Sequence, residues 1–73
     1  MRGSKTRILN HLIRYGGLTS KEAFERYGIT RLSARIKELR EMGYDIKTFM
    51  EEGENRYGEA VRYGRYVLMN NKL

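Results

Sequence analysis

The stretch TRLSARIK, residues 30–37, concentrates side chains that can hydrogen-bond to nucleic-acid bases and phosphates. Its polar, cationic and small members are Thr30, Arg31, Ser33, Ala34, Arg35 and Lys37. An arginine can donate two hydrogen bonds to guanine, a serine can bond several bases, and an alanine methyl can touch the methyl group of thymine. At the start of a helix these side chains would lie beside free backbone N–H groups, which attract phosphate. The stretch therefore predicts a surface that reads double-stranded DNA.

A second interpretation of the same residues needs no ligand. Arg35 precedes Glu38 by three residues, and Lys37 precedes Glu41 by four. On a helix such neighbours form surface ion pairs, which stabilise it by about 0.2–0.5 kcal/mol each. A solvent-exposed amphipathic helix in a small bundle would show the same pattern, so the elements around the stretch must decide between the two.

The stretch lies in a predicted helix that is capped by Thr30 and ended by Gly43. With about 100° per residue, Leu32, Ile36 and Leu39 form one narrow apolar face. The cations concentrate in the first half of this helix and the glutamates in the second. A helix-turn-helix motif consists of two helices, and the first half of the latter one contacts base edges. If the present helix is that one, the position of its cations favours the DNA-reading interpretation.

A first helix is predicted from the segment SKTRILNHLIRYGG. Ser4 is its expected cap, His11 falls on its polar side, and Gly16 or Gly17 supplies a left-handed end. The expected core residues of this helix, at helical spacing, are Ile8, Leu9, Leu12 and Ile13.

A second helix is predicted in LTSKEAFERYG, where Thr19 and Glu22 form a capping box preceded by Leu18 as the staple residue. Its expected buried side consists of Ala23, Phe24 and Tyr27. Only residues 28–30 separate it from the third helix. So short a link containing glycine forces a sharp angle, which is typical of a helix-turn-helix.

Beyond Gly43 the segments YDIKTFME and AVRYGRYVLM are rich in β-branched and aromatic residues and predict a β-hairpin. The polar segment EGENRYGE would form its long tip. Gly64 inside the second strand predicts a bulge or a close approach to a helix. Further expected DNA contacts are Asn55, Arg56 and Arg62 on the hairpin, and Ser20 and Lys21 at the start of the second helix.

The order of these elements resembles a winged helix-turn-helix. The segments LTSKEAFERYGITRLSARIKELREMGYDI and NRYGEAVRYGRYVL are similar to small winged helix-turn-helix DNA-binding proteins of bacteriophages and mobile elements, and the resemblance covers residues 5 to 68. It implies an α+β fold of three helices followed by a β-hairpin wing, forming one domain over residues 1–73 with an ordered core at residues 5–68.

The composition restricts the remaining classes. The chain carries a net charge of +6 with a pI near 9.9, which fits a nucleic-acid partner but also simple solubility. It has no cysteine and one histidine, so no metal site is expected. No catalytic set and no cofactor motif is recognisable, so an enzyme is not expected. No apolar run or signal segment suits a membrane or secretion, and a cytoplasmic location is expected.

Two functions remain open. The first is a sequence-specific double-stranded DNA-binding protein of a phage or mobile element, acting as a transcriptional regulator or an architectural excision factor. The second is a phage-encoded protein-binding module that inhibits a host nucleoprotein complex, such as a CRISPR effector. Either a monomer or a weak homodimer is expected. The six tyrosines could also stack on single strands, and the rings left for the surface are Tyr15, Tyr57 and Tyr63, but aromatic packing in the core is the favoured account of the tyrosines.

Overall fold

A computed structural model describes residues 3–69 as three helices and a three-stranded antiparallel sheet. The elements are α1 (Ser4–Tyr15), β1 (Leu18–Thr19), α2 (Ser20–Tyr27), α3 (Leu32–Glu41), β2 (Ile46–Glu54) and β3 (Ala60–Leu68). The strand order is β1-β3-β2. The three helices and the hairpin are confirmed. Strand β1 was not predicted, because two residues are too few to show a strand period.

The first helix begins at Ser4, the residue that was expected to be its N-cap, and therefore starts one residue earlier than predicted. Gly3 occupies the N-cap with φ −77° and ψ 158°, and no side chain bonds there, so Ser4 is the first helical residue rather than the cap. Gly16 ends the helix with φ 90°, as predicted. His11 is only 5% exposed, so its assignment to the polar side is wrong. Its ring packs against Tyr27 of α2 instead of facing water.

The core lies between the helices and the root of the sheet. Its fully buried members are Ile8, Leu12, Leu18, Ala23, Ile29, Leu32, Ile36, Leu39 and Ile46. Phe24 was expected in this core, but 59% of it is exposed. The reason is its angular position, since Ala23 and the half-buried Tyr27 stand four residues apart on the inner side of α2 and Phe24 lies about 100° around the helix from Ala23.

The turn between α2 and α3 has the predicted tight geometry. Gly28 adopts φ 69°, and its N–H donates to the carbonyl of Phe24 at 2.9 Å. A side chain at such a φ is strained, which explains the glycine. The next residue, Ile29, turns its side chain into the core with 8% exposure, and its N–H donates to Ala23. This turn anchors the start of α3 directly to α2.

The hairpin is longer and more regular than predicted. Its register runs from Ile46 opposite Leu68 to Glu54 opposite Ala60, so the tip is only residues 55–59. Gly64 pairs with Met50 without a bulge. A Cβ at Gly64 would lie 2.9 Å from Cγ2 of Thr48, so the close approach is to the neighbouring strand and not to a helix.

Candidate nucleic-acid interface

The orientation of α3 is set by its buried face. Leu32, Ile36 and Leu39 are 2%, 1% and 1% exposed, as the apolar period predicted. Burying three such side chains is worth roughly 1.5–3 kcal/mol each in hydrophobic transfer, so the helix cannot rotate without losing the core. The opposite side of α3 must therefore face outward, and this side carries the exposed Ser33 and Lys37.

The start of α3 differs by one residue from the prediction. Arg31, not Thr30, occupies the N-cap, because the carbonyl of Arg31 accepts the first helical bond from the N–H of Arg35 at 3.3 Å. Thr30 lies before the cap and makes no capping bond. No side chain caps this end, which leaves first-turn N–H groups open to solvent or to an anion. Thr30 and Arg31 themselves are both exposed.

Arg35 is the member of the expected set most engaged within the protein. Its Nη2 donates to Oε2 of Glu38 at 3.0 Å, and the same glutamate lies 3.8 Å from Nζ of Lys5 on α1. Its side chain is 34% exposed, and its Nε is buried without a partner. The ion-pair interpretation of α3 thus applies to Arg35. Ala34 beside it is half-buried.

The expected capping box at the start of α2 is confirmed. Oγ1 of Thr19 accepts from the N–H of Glu22, and Oε1 of Glu22 accepts from the N–H of Thr19, both at 3.1 Å. Thr19 is 5% exposed and acts as the cap. Ser20 and Lys21 follow it in the first turn and are both exposed. Their hydroxyl and ammonium groups are therefore open to solvent at the start of α2.

The tip of the wing is ordered by the side chain of Asn55. Its Oδ1 accepts from the N–H groups of Tyr57 and Glu59 at 2.9 and 3.1 Å, and its Nδ2 donates to Oε1 of Glu59 at 2.9 Å. Asn55 thus shapes the tip. Arg56 lies at the apex of this turn and is exposed. Arg62 lies opposite Glu52 in the strand register and is also exposed.

The root of the wing is fixed to the second helix by Arg65. Its Nε donates to Oε2 of Glu51 on β2 at 2.9 Å, and its Nη1 donates to Oε1 of Glu22 at 3.2 Å. Glu22 is the capping-box residue, so one carboxylate holds both the start of α2 and the sheet. We call this group, Arg65 with Glu22 and Glu51, the wing brace. Sequence reasoning missed it, since its members lie 14 and 43 residues apart.

The electrostatics of the wing brace follow from these contacts. Burial acts to raise the pKa of Glu22, but the N–H of Thr19 and the guanidinium of Arg65 outweigh it, so the pKa lies below its usual value. The hydrogen bond to Glu51, with the charge of Glu22, raises the pKa of Arg65 further against a smaller effect of burial. Glu22 and Arg65 therefore both stay charged at neutral pH.

A second contact between α3 and the sheet was also missed. The Nε of Arg40 donates to the carbonyl of Ile46 at 2.8 Å, and its Nη2 donates to Oγ1 of Thr48 at 3.1 Å. Its guanidinium lies 6.0 Å from the ring centre of Tyr66. Arg40 therefore ties the end of α3 to the start of the wing. The sequence gave no sign of this role, because i, i+6 and i, i+8 partners fall outside helical pairing.

Most of the cations that were expected to contact DNA lie outside the ion pairs of the fold. Within residues 3–69 no carboxylate pairs with five of the expected contact residues, namely Lys21, Arg31, Lys37, Arg56 and Arg62. They belong to the first turn of α2, to α3 and to the wing. Residues 3–69, which the structure describes, contain no group of metal-binding side chains and no helix that could cross a membrane.

Three helices with a tight α2–α3 turn, a three-stranded antiparallel sheet and a protruding hairpin define a winged helix-turn-helix. The comparison with protein families agrees, since the model described as "Winged helix-turn-helix domain" matches residues 3–71. The chain belongs to this family, and the membership indicates DNA binding. Searches of curated proteins and of solved structures returned no significant match.

Proposed function

We propose that this protein binds double-stranded DNA sequence-specifically, with α3 in the major groove and the wing against the backbone or minor groove. The observation that supports this proposal is the set of cations without a carboxylate partner on α2, α3 and the wing. Exposed cations that no carboxylate neutralises are what a phosphate-lined ligand requires. In this proposal Arg31 and Ser33 meet bases, and Lys21 and Arg56 meet phosphates.

The biological role that we propose is that of a transcriptional regulator or an architectural excision factor of a phage or mobile element. The origin rests on the resemblance of the α3 and wing segments to small proteins of such elements. Asn55 and the wing brace support the architectural part, because they hold the wing rigidly and a rigid wing can keep a bent duplex in place.

A gel-shift titration with duplex DNA at several salt concentrations tests binding. The logarithm of the binding constant should fall with the logarithm of salt concentration, with a slope of about −0.9 per phosphate neutralised. Lys47→Ala is the matched control, because Lys47 lies on β2 beside Asp45 and outside the proposed contact set. A binding constant that does not change with salt would exclude the duplex as the main partner.

Arg31 and Arg56 should differ in what they contribute. Arg31→Ala removes a guanidinium at the front of α3 and should cost about 1–3 kcal/mol with a relaxed preference at one base position. Arg56→Ala removes a tip cation, and should weaken all sequences alike and lower the salt slope by about one unit. Randomised-site selection at one salt concentration measures both. If both variants keep the wild-type preference and affinity, neither residue touches DNA.

One observation favours the alternative, a protein-binding module that inhibits a host nucleoprotein complex. Phe49, Met50 and Tyr63 on the wing strands are 48%, 56% and 38% exposed. Phe49 and Tyr63 share one face of the hairpin, because Tyr63 lies opposite Glu51, two residues from Phe49. Met50 points to the other face. Two exposed rings on one face of a protruding hairpin suit a protein partner. Failure of duplex binding, together with loss of partner binding in Phe49→Ser, would make this the better proposal.

A further inference from the structure

A cleft lies between α1 and the end of α2, among residues that the proposed duplex interface does not use. Its volume is about 310 Å³, and it is lined by Arg7, Asn10, His11, Arg14, Tyr15 and Tyr27. This volume is at the lower end for small-ligand sites, which begin at roughly 300 Å³. The lining contains two guanidinium groups, two phenols and no carboxylate.

The charge of the cleft is uncompensated. Arg7 and Arg14 are seven residues apart, two helical turns, and therefore share one side of α1. Neither forms an ion pair with any carboxylate in the described range, and both are exposed. A third guanidinium, that of Arg26, lies 5.9 Å from the ring centre of Tyr15. Two guanidinium groups in the lining, with a third beside the ring of Tyr15, favour an anion, and guanidinium suits phosphate best.

The aromatic side of the cleft is held in place. The ring of Tyr15 is 62% exposed, and its centre lies 4.8 Å from that of His11. His11 in turn is fixed, because its Nδ1 lies 2.7 Å from the hydroxyl of Tyr27. An exposed ring supported by fixed neighbours loses little side-chain entropy when a flat ligand stacks on it. Base stacking on such rings contributes to single-strand binding without sequence preference.

The position of the cleft separates it from α3. Lys5 marks the side of α1 that meets α3, since its Nζ lies 3.8 Å from Glu38. Arg7 is two residues further along and thus about 200° away around the helix axis. The row of Arg7, Asn10 and Arg14 therefore lies on the far side of α1. A ligand in the cleft would leave α3 and the wing free for a duplex.

We propose that this cleft binds single-stranded nucleic acid, with phosphates on Arg7 and Arg14 and a base against the ring of Tyr15. A single strand fits better than a duplex, because bases in a duplex are stacked on each other and cannot enter a cleft of this size. The protein would then hold a duplex on one side and an unpaired strand on the other. This proposal does not depend on the duplex proposal, since the two surfaces share no residue.

Fluorescence anisotropy with short labelled oligothymidylate and oligouridylate tests the cleft. Tyr15→Leu should weaken the binding of the single strand by about 5- to 150-fold, the range measured for loss of one stacking ring. Tyr57→Leu is the matched comparison, since Tyr57 is a second exposed ring that the sequence offered for stacking but lies at the wing tip, 80% exposed and outside the cleft, and its loss should leave this affinity unchanged. The tighter of the two oligomers identifies the strand as DNA or RNA.

The cationic contribution has its own pair of variants. Arg14→Gln should weaken single-strand binding and lower its salt slope by about 0.7. Lys5→Gln, on the opposite side of α1, should do neither. Both positions are exposed, so neither substitution should unfold the chain, and circular dichroism checks this. Duplex binding measured on the same variants should stay at the wild-type level.

The ring of His11 supplies a spectroscopic readout. Burial and the nearby Arg26 lower its pKa, while Glu22 of α2 acts in the opposite direction and Arg65 of β3 lowers it further. A phosphate bound beside it should raise this pKa, because an anion favours the imidazolium. Proton NMR titration of His11 with and without oligothymidylate measures the change, which should vanish in Arg14→Gln.

Two outcomes would overturn the cleft. In the first, Arg31→Ala weakens single-strand binding while Tyr15→Leu and Arg14→Gln do not, and this result would place the strand on α3. The other is no binding of either oligomer by a protein that still binds duplex DNA. Conversely, single-strand binding that depends on Tyr15 in a protein that fails to bind any duplex would uphold the cleft and reject the proposed duplex function.

Discussion

The wing brace should stabilise the fold more than any other ion pair on the surface. Arg65→Met keeps a long unbranched side chain and removes both hydrogen bonds, to Glu51 at 2.9 Å and to Glu22 at 3.2 Å. The side chain of Arg65 is 30% exposed, and those of its two partners are 37–38% exposed. The substitution therefore tests a partly shielded network and not a solvent-screened pair.

The expected size follows from these contacts. A hydrogen bond to a charged group contributes about 1.5–3 kcal/mol when shielded, whereas an exposed pair contributes about 0.2–1 kcal/mol. At about one-third exposure, two such bonds should together be worth about 1–2 kcal/mol. The carboxylates of Glu22 and Glu51 can be hydrated once Arg65 is replaced, which limits the loss of folding free energy. We therefore expect Arg65→Met to lower the free energy of unfolding by about 1–2 kcal/mol.

Urea denaturation followed by circular dichroism measures this free energy. Lys47→Met is the matched control on the neighbouring strand, because the side chain of Lys47 is 60% exposed and its Nζ lies 3.8 Å from Oδ1 of Asp45. It should change stability by less than about 0.5 kcal/mol. A double-mutant cycle with Glu51→Gln isolates the coupling between β3 and β2. Equal losses in Arg65→Met and Lys47→Met, or zero coupling in the cycle, would refute the brace.

Two further predictions concern the core and pH. Leu39 is 1% exposed, and Leu39→Ala should lower the free energy of unfolding, measured by heat or urea, by about 2–5 kcal/mol. The control Met42→Ala, at a position 61% exposed, should change it by no more than about 0.5 kcal/mol. A loss below about 1 kcal/mol in Leu39→Ala would mean that α3 is oriented differently. Burial lowers the pKa of His11 below 6.5 in the folded state, so the unfolded chain binds its proton first. Stability should therefore fall as the pH drops below 6.5 towards that lower pKa, and His11→Gln should remove this part of the pH dependence; parallel curves for the two proteins would contradict it.

The sequence predicted those parts of the fold whose cause is local. The capping box of Thr19 and Glu22 is a bond between residues three apart, and it forms as expected. Gly28 is needed because its own backbone has a positive φ. The buried face of α3 follows from a helical period that any tertiary partner must respect. Each of these features depends on interactions within a few residues, and a linear pattern records such interactions.

The errors have a common cause in contacts between elements. His11 was predicted to face solvent because the helical period gives only its angular position on α1. The period does not reveal that the ring of Tyr27, 16 residues away, covers that position. Phe24 was assigned to the core because it is apolar, although Ala23 and Tyr27 are the residues of that helix that pack there. The tip of the wing was predicted too long because glycine and glutamate are poor strand formers, and cross-strand pairing overrode that preference.

The same division holds for the candidate sites. Type and spacing were enough to nominate Arg31, Lys37 and Arg56, but which cations remain unpaired depended on the folded chain. Arg65 and Arg35 looked equivalent to these in the sequence, and both are ion-paired in the fold. The cleft beside α1 forms only because Tyr27 of α2 and His11 of α1 come into contact in the folded chain. Charge is a property of one residue, whereas its availability depends on distance to every other charge, and only the tertiary structure decides that.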